Sequence, residues 1–258
     1  MGLPNDPEKI PKERGWEVVP VFSLNGFSLT YLSALQEIES DSEVAGYSDV
    51  GVRNLLFTLI LSLRPECVLE LGGHIGSAAL VMGEGLRLNG YGKLYTVEPE
   101  AHYLERLSYY VKKAELEGIV IPLKGFSYEV QIRQKIESVA PFELIFIDAC
   151  HDYSAVLNEL LYCSDLIAQH GLIILHDSSI YAQSFDTQRK GGVRRAILEC
   201  CKEKPELQAV FFEYPLWLNP CGAAILCKQS IIEKSKKKNF FNADLYSRIR
   251  SCLKATNT

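Results

Sequence analysis

Apolar residues recur along this chain in short continuous runs, separated by longer stretches at helical spacing. Cys67-Val68-Leu69-Glu70-Leu71 stops at Gly72-Gly73, and residues 77–89 then follow a helical pattern that ends in Gly90-Tyr91-Gly92. Short runs return at 94–97, 119–123, 144–147 and 171–175, with helical patterns over 101–117, 128–139 and 153–168 between them. A further helical pattern spans 192–204, and two closing runs, 209–212 and 223–226, have no helix between them. Runs that are apolar on both faces and alternate with helices predict parallel strands covered on both sides. The last two runs predict an antiparallel pair at one edge. The expected fold class is therefore α/β: a doubly wound, mostly parallel seven-stranded sheet with a C-terminal antiparallel hairpin.

The flanks are different. Residues 1–27 are proline-rich and irregular, and 28–40 and 50–63 carry helical spacing. We expect an N-terminal arm and helix over 1–47 that covers the site, and a main domain over 48–228. A basic turn holding Lys234, Lys236, Lys237 and Lys238 follows in 229–258, with a helix near 240–254.

Composition narrows the class. The chain has 258 residues, 47% of them hydrophobic, and 27 basic against 32 acidic residues, a net charge of −5. That supports a large core and excludes a disordered chain. Mild acidity argues against a nucleic-acid partner held by bulk charge. The longest apolar run, 55–63, is about half the ~20 residues of a membrane helix, so no membrane partner is expected. The N-terminus lacks the apolar stretch and cleavage site of a secretory signal. Eight cysteines without a C-x-x-C pair fit buried thiols in a reducing, cytoplasmic setting.

In such sheets ligands bind beyond the carboxyl ends of the strands, where strand order reverses. The residues there are Gly72, Gly73 and Gly76, Glu98, 125–127, 148–152 and 176–178. Glycines let backbone approach a ligand and adopt positive φ, and the helix start behind them offers free N–H groups to an anionic group such as a carboxylate. The spacing G-G-x-x-G is neither the dinucleotide G-x-G-x-x-G nor a phosphate-binding P-loop. Glu98, after the second strand, can accept both vicinal hydroxyls of a ribose. By itself it leaves adenosylmethionine and NAD open.

With Glu70-x-Gly72-x-x-x-Gly76 and Glu98 in place, the stretch from about 48 to 228 resembles the class I S-adenosylmethionine-dependent methyltransferases, whose fold is Rossmann-like. The resemblance implies that Glu70, Gly72, Gly73, Gly76 and Ser77 cradle the methionine part of S-adenosyl-L-methionine, that Glu98 holds the ribose, that Gly125, Phe126 and Ser127 lie near adenine, and that Asp148 touches the cofactor. The family often has an acidic residue where Phe126 stands. Phe146-Ile147-Asp148-Ala149-Cys150-His151-Asp152-Tyr153, with Gly171-Leu172-Ile173-Ile174-Leu175-His176-Asp177, is similar to the small-molecule O-methyltransferase branch acting on sugars and natural products. Ala149 replaces that branch's usual glycine.

Asp148 and Asp177 end the fourth and fifth strands, whose axes would lie ~4.8 Å apart if they are neighbours. Two converging carboxylates repel, and a divalent cation relieves them. By resemblance to catechol-type relatives, Asp148, Asp177 and Ser178 are candidate Mg²⁺ ligands; alternatively Asp177 caps a loop and Asp148 meets the cofactor. His151 is a candidate general base for a substrate hydroxyl, with Asp148 beside it and His176 as the alternative base. His74 reads as a cofactor-side or structural residue. Residues 179–192, with Ile180, Tyr181 and Phe185, form a candidate lid. Phe211, Phe212, Tyr214 and Trp217 read first as core and hairpin packing.

The expected activity is methyl transfer to a hydroxyl of a small-molecule acceptor by a protein able to form a homo-oligomer. A nicotinamide oxidoreductase is the main alternative, opposed by the missing dinucleotide fingerprint and the terminal hairpin. A non-catalytic binder of the same fold is the other. No G-x-S-x-G elbow of a serine hydrolase occurs.

Overall fold

The computed structural model of the chain describes residues 26–41, 48–213 and 221–228. The expected proline-rich arm up to residue 25, Tyr214 and Trp217, and the basic turn and helix after 228 lie outside the described residues. The element order is α1 (Leu29–Ser40), α2 (Val50–Leu63), β1 (Cys67–Leu71), α3 (Ser77–Asn89), β2 (Lys93–Glu98), α4 (Ala101–Lys113), β3 (Val120–Lys124), α5 (Val130–Glu137), β4 (Phe142–Ile147), α6 (Tyr153–Leu166), β5 (Ile167–His176), a 3₁₀ turn (Ile180–Phe185), α7 (Gly192–Glu203), β6 (Leu207–Phe212) and β7 (Ala223–Lys228).

The seven strands form one sheet in the order β3-β2-β1-β4-β5-β7-β6. Pairing is parallel from β3 through β5, and β7 runs antiparallel to both β5 and β6. The expected hairpin is present, but β7 inserts between β5 and β6, so β6 is the edge. The apolar faces of β7 explain this: Ala223, Ala224 and Leu226 are fully buried, whereas β6 exposes Val210. A strand buried on both faces belongs inside a sheet.

Helices cover both faces. One core joins Tyr31, Ala34 and Ile38 of α1 with Leu56 and Ile60 of α2, Leu80 and Met82 of α3 and Leu107 of α4. The other joins Ile132 and Ile136 of α5, Leu160 and Cys163 of α6 and Ile197 and Cys200 of α7. Alternation along β1 divides Val68 from Leu69 and Leu71 between these two cores. The expected span of α6 to residue 168 is too long: α6 ends at Leu166 and β5 begins at once, with an irregular register between Phe142 and Leu144. Gly171 suits this crowded bend, where a Cβ would lie 2.9 Å from the Phe142 carbonyl. Among the described residues no helix is long and apolar enough to cross a membrane.

Candidate active site

The strand order reverses at β1, whose crossover leads to β2 on one side while β4 lies on the other. The crevice expected there is present as a cavity of about 1510 Å³ along the strand tips. Leu71, Gly72, His74, Val97, Glu98, Gly125, Phe126, Ser127, Asp148, His151, His176 and Asp177 line it. Of the sequence candidates, Gly72, Glu98, Gly125, Phe126, Ser127, Asp148, His151, His176 and Asp177 thus share one cavity. Glu70, Gly73, Gly76, Ser77 and Ser178 stand behind its wall.

The glycine loop is shaped by close backbone approach. Gly72 has φ 95°, and a Cβ there would sit 2.2 Å from the Asp148 carbonyl oxygen. Its N–H and that of Gly73 both donate to the Val97 carbonyl at 3.0 Å, while Asp148 N–H donates to Leu71 at 2.9 Å. Three strand tips are tied together at this point. Gly76, at φ 97°, then starts α3.

Glu98 is locked in place. One carboxylate oxygen accepts the His74 N–H at 2.7 Å and the other the Glu100 N–H at 2.8 Å. Each oxygen keeps lone-pair capacity for a diol. Behind it Glu70 is fully buried, and neither of its oxygens has a hydrogen-bond partner among the described residues. Burial pushes its carboxyl up to about 8, with Thr96 opposing and the charges of Asp148 and Glu98 adding to the rise. Glu98 and Asp148 bring two carboxylates to this end of the cavity, which suits a positively charged ligand. S-adenosylmethionine, with an ammonium and a sulfonium, fits that requirement.

The other end is a His–Asp cluster. His176, 7% exposed, points Nδ1 at Asp148 Oδ1 (3.2 Å) and Nε2 at Asp49 Oδ2 (3.0 Å). Two carboxylates on two ring nitrogens are satisfied together only by the imidazolium. Burial opposes that charge, but Asp148, Asp49 and Asp177 outweigh it and push the His176 pKa up to about 11. Burial alone would raise Asp148, but His176 and the Ser48 hydroxyl (2.6 Å) hold its carboxyl below the ordinary range.

His151 is half-exposed, and its Nε2 lies 2.6 Å from Asp177 Oδ2. That hydrogen bond raises the imidazole above its ordinary value against the effect of burial. Asp177 adopts φ 53°, an uncommon backbone state for a non-glycine residue. Its Oδ1, and the hydroxyl of fully buried Ser178, have no hydrogen-bond partner among the described residues. Ligand atoms of Asp148, His151 and Asp177 all lie within 4.8 Å of one another, as do those of His176, Asp177 and Cys221.

The 179–192 segment is pinned across the cavity mouth. Asp186 accepts N–H bonds from Gln188 (3.0 Å), Lys190 (2.6 Å) and Gly192 (2.9 Å). Asp152 accepts the Thr187 N–H at 2.7 Å and its hydroxyl at 2.8 Å. Phe185 sets its edge against the His151 ring, centroids 5.6 Å apart. Sequence reasoning missed Ser48, Asp49, Glu159 and Cys221 as site residues. Only Asp49 carried a signal, as the acidic residue before a helical pattern.

Residues 69–178 match a family described as a methyltransferase domain. No curated protein matches the chain by sequence. Solved structures match its fold. An O-methyltransferase from Bacillus cereus in complex with S-adenosylhomocysteine is 21% identical, with TM-score 0.63, over 82% of this chain and 93% of that one. An S-adenosylhomocysteine-bound methyltransferase from Podospora anserina is 15% identical, with TM-score 0.63, over 79% and 89%. An O-methyltransferase from Streptomyces achromogenes, involved in tomaymycin synthesis and in complex with S-adenosylmethionine, is 14% identical, with TM-score 0.61, over 82% and 93%. Residues 69–178 are therefore similar to a methyltransferase domain. The fold of the chain is that of the class I S-adenosylmethionine-dependent methyltransferases.

Proposed function

We propose that the protein transfers the methyl group of S-adenosylmethionine to a hydroxyl oxygen of a small-molecule acceptor, a natural product or a sugar. One juxtaposition carries this reading: the Glu98 carboxylate and the His151–Asp177 pair line the same cavity. The Glu98 and Asp148 carboxylates on the cavity wall support a cationic ligand at the β1 end. When bound, S-adenosylmethionine supplies an electrophilic methyl on a sulfonium. Glu98 binds the ribose diol and fixes the position of that methyl. Alignment of nucleophile, carbon and sulfur is the main requirement of such a displacement. His151 takes the hydroxyl proton; with Nε2–H donating to Asp177, Nδ1 is the nitrogen that accepts it. His176, with both nitrogens engaged, offers no acceptor and acts as a fixed cation. Apolar Phe185 at the mouth favours an acceptor with an apolar face. The seven described cysteines are all free, which suits a reducing cytoplasm.

A divalent cation is a second reading, favoured by Asp177 Oδ1 and Ser178 Oγ, which have no hydrogen-bond partner among the described residues. Asp148, Asp177 and Ser178 would hold Mg²⁺, which lowers the pKa of a coordinated hydroxyl.

Calorimetric titration with S-adenosylmethionine, S-adenosylhomocysteine and NAD tests the cofactor. Binding of the first two and not the third is expected; binding of NAD alone overturns the reading. Methylation of a panel of phenols and sugars, with EDTA and then added Mg²⁺, tests acceptor and metal. Turnover unchanged by EDTA removes the cation.

A further inference from the structure

Glu159, on α6, has no part in the chemistry above, yet its carboxylate is held in an unusual way. Oε1 accepts the Ser127 hydroxyl at 2.5 Å, while Oε2 is buried with no hydrogen-bond partner among the described residues. A buried carboxylate oxygen without a donor is costly, and native proteins rarely keep one idle. The nearby cation does not serve it. Arg133 lies over the Tyr162 ring, 4.4 Å from its centroid, and its Nε donates to the Ser127 carbonyl at 3.4 Å. Burial raises the Glu159 carboxyl, with only the Ser127 hydroxyl opposing. Both residues line the same cavity as Glu98.

The hydrogen-bond inventory at this wall is one-sided. The single hydroxyl proton of Ser127 is committed to Glu159, so Ser127 Oγ presents lone pairs. Glu159 Oε2 does the same. Phe126 offers no polar group; its ring stacks on Tyr128, centroids 5.1 Å apart. Resting on the S-adenosylmethionine reading, we propose that Ser127 and Glu159 form an acceptor-only edge that selects the exocyclic amine of adenine in the bound cofactor. The carboxylate that the resemblance expects at position 126 is thereby supplied from α6, 32 residues from Ser127. A base with a carbonyl at the same position would bring acceptor against acceptor and be rejected.

The experiment compares S-adenosylhomocysteine with its deaminated analogue, S-inosylhomocysteine, by calorimetry on the full chain. The wild type is expected to prefer the adenosyl form by on the order of 10–100-fold, the cost of leaving buried acceptors unpaired. Glu159→Gln, which places an amide donor on the edge, is expected to narrow the preference to within about threefold. A wild type that binds both equally, or a preference unchanged in Glu159→Gln, overturns the assignment and leaves the cofactor reading intact. A wild type that binds neither overturns the cofactor reading itself. Should Glu159→Gln fail to fold, Ser127→Ala decides: a preference at least about threefold smaller supports the edge, and an unchanged one overturns it.

Discussion

Asp49 holds His176 with one carboxylate oxygen and caps α2 with the other. Oδ2 lies 3.0 Å from His176 Nε2, and Oδ1 accepts the Val52 N–H at 3.1 Å. A helix cap is thus part of the site, across 127 residues of sequence. The start of α2, the tip of β5 and the tip of β4 are joined through one imidazolium. Its hydrogen bonds fill both nitrogens, so its role is to hold two carboxylates together rather than to exchange protons.

The first prediction concerns stability and pH. The folded protein binds the His176 proton more tightly than the unfolded chain, whose histidine titrates near the ordinary 6.5. The stabilisation is complete below that pH and fades as pH rises toward about 11. Thermal unfolding of the wild type is expected to show a falling Tm across this alkaline window. His176→Gln, which leaves Asp148 and Asp49 facing each other, is expected to cost about 3–5 kcal/mol in urea unfolding at pH 7 and to flatten that slope. A variant as stable as wild type would contradict the assigned charge.

The second prediction concerns the base. His151→Ala is expected to lower kcat by on the order of 10²–10⁴ while leaving S-adenosylhomocysteine affinity within about twofold. Asp177 raises the His151 imidazole, so the acid limb of the wild-type rate profile is expected above the ordinary histidine value. Asp177→Asn removes that support, and the limb is expected to move to lower pH as kcat falls. A limb that stays in place would assign it to another group.

Much of this was legible in the sequence because sheet topology converts order along the chain into position. Gly72, Glu98, Asp148 and Asp177 each follow an apolar run, and parallel strands bring their ends to one edge of the sheet. Three features were not legible. Insertion of β7 between β5 and β6 depends on which of two similar runs is buried on both faces, a property of tertiary packing. The Ser127–Glu159 bond and the Asp49–His176 bond join elements far apart in sequence, where no local period records a partner. The protonation of His176 follows from a carboxylate on each ring nitrogen, Asp148 and Asp49, and both lie far from it in sequence.

The third prediction isolates the switch point. Gly72→Ala adds a Cβ at φ 95° and 2.2 Å from the Asp148 carbonyl. The β1 and β4 tips must part to admit it. A loss of at least about 3 kcal/mol of stability is expected, together with weakened cofactor binding, because Glu98 and Asp148 shift relative to each other. Gly118→Ala provides a comparison: it also has positive φ, 81°, but nothing lies within 4 Å of its Cβ. Its cost is expected to be about 1 kcal/mol, that of the backbone alone. Chemical denaturation of the two variants separates backbone strain from the steric clash.

The last prediction concerns the pinned segment at the cavity mouth. Asp152 precedes α6, yet its side chain makes no hydrogen bond to cap that helix. It clasps Thr187 instead, through the Thr187 N–H and hydroxyl. The clasp gives up a helix cap worth about 1 kcal/mol, so it must serve the geometry of the 179–192 segment. That segment carries Phe185 against His151, one residue from Asp152. Thr187→Val keeps the shape and the backbone donor but deletes the hydroxyl bond, and Asp152→Asn weakens the charge-assisted pair. Both variants are expected to raise acceptor KM by about three- to tenfold, since a loosened segment must be ordered again when the acceptor binds. S-adenosylhomocysteine affinity is expected to stay unchanged, because Glu98 and the glycine loop lie on other strands. Parallel measurement of acceptor KM and product affinity checks this, and a loss confined to product affinity would show that the clasp supports the cofactor side of the cavity instead.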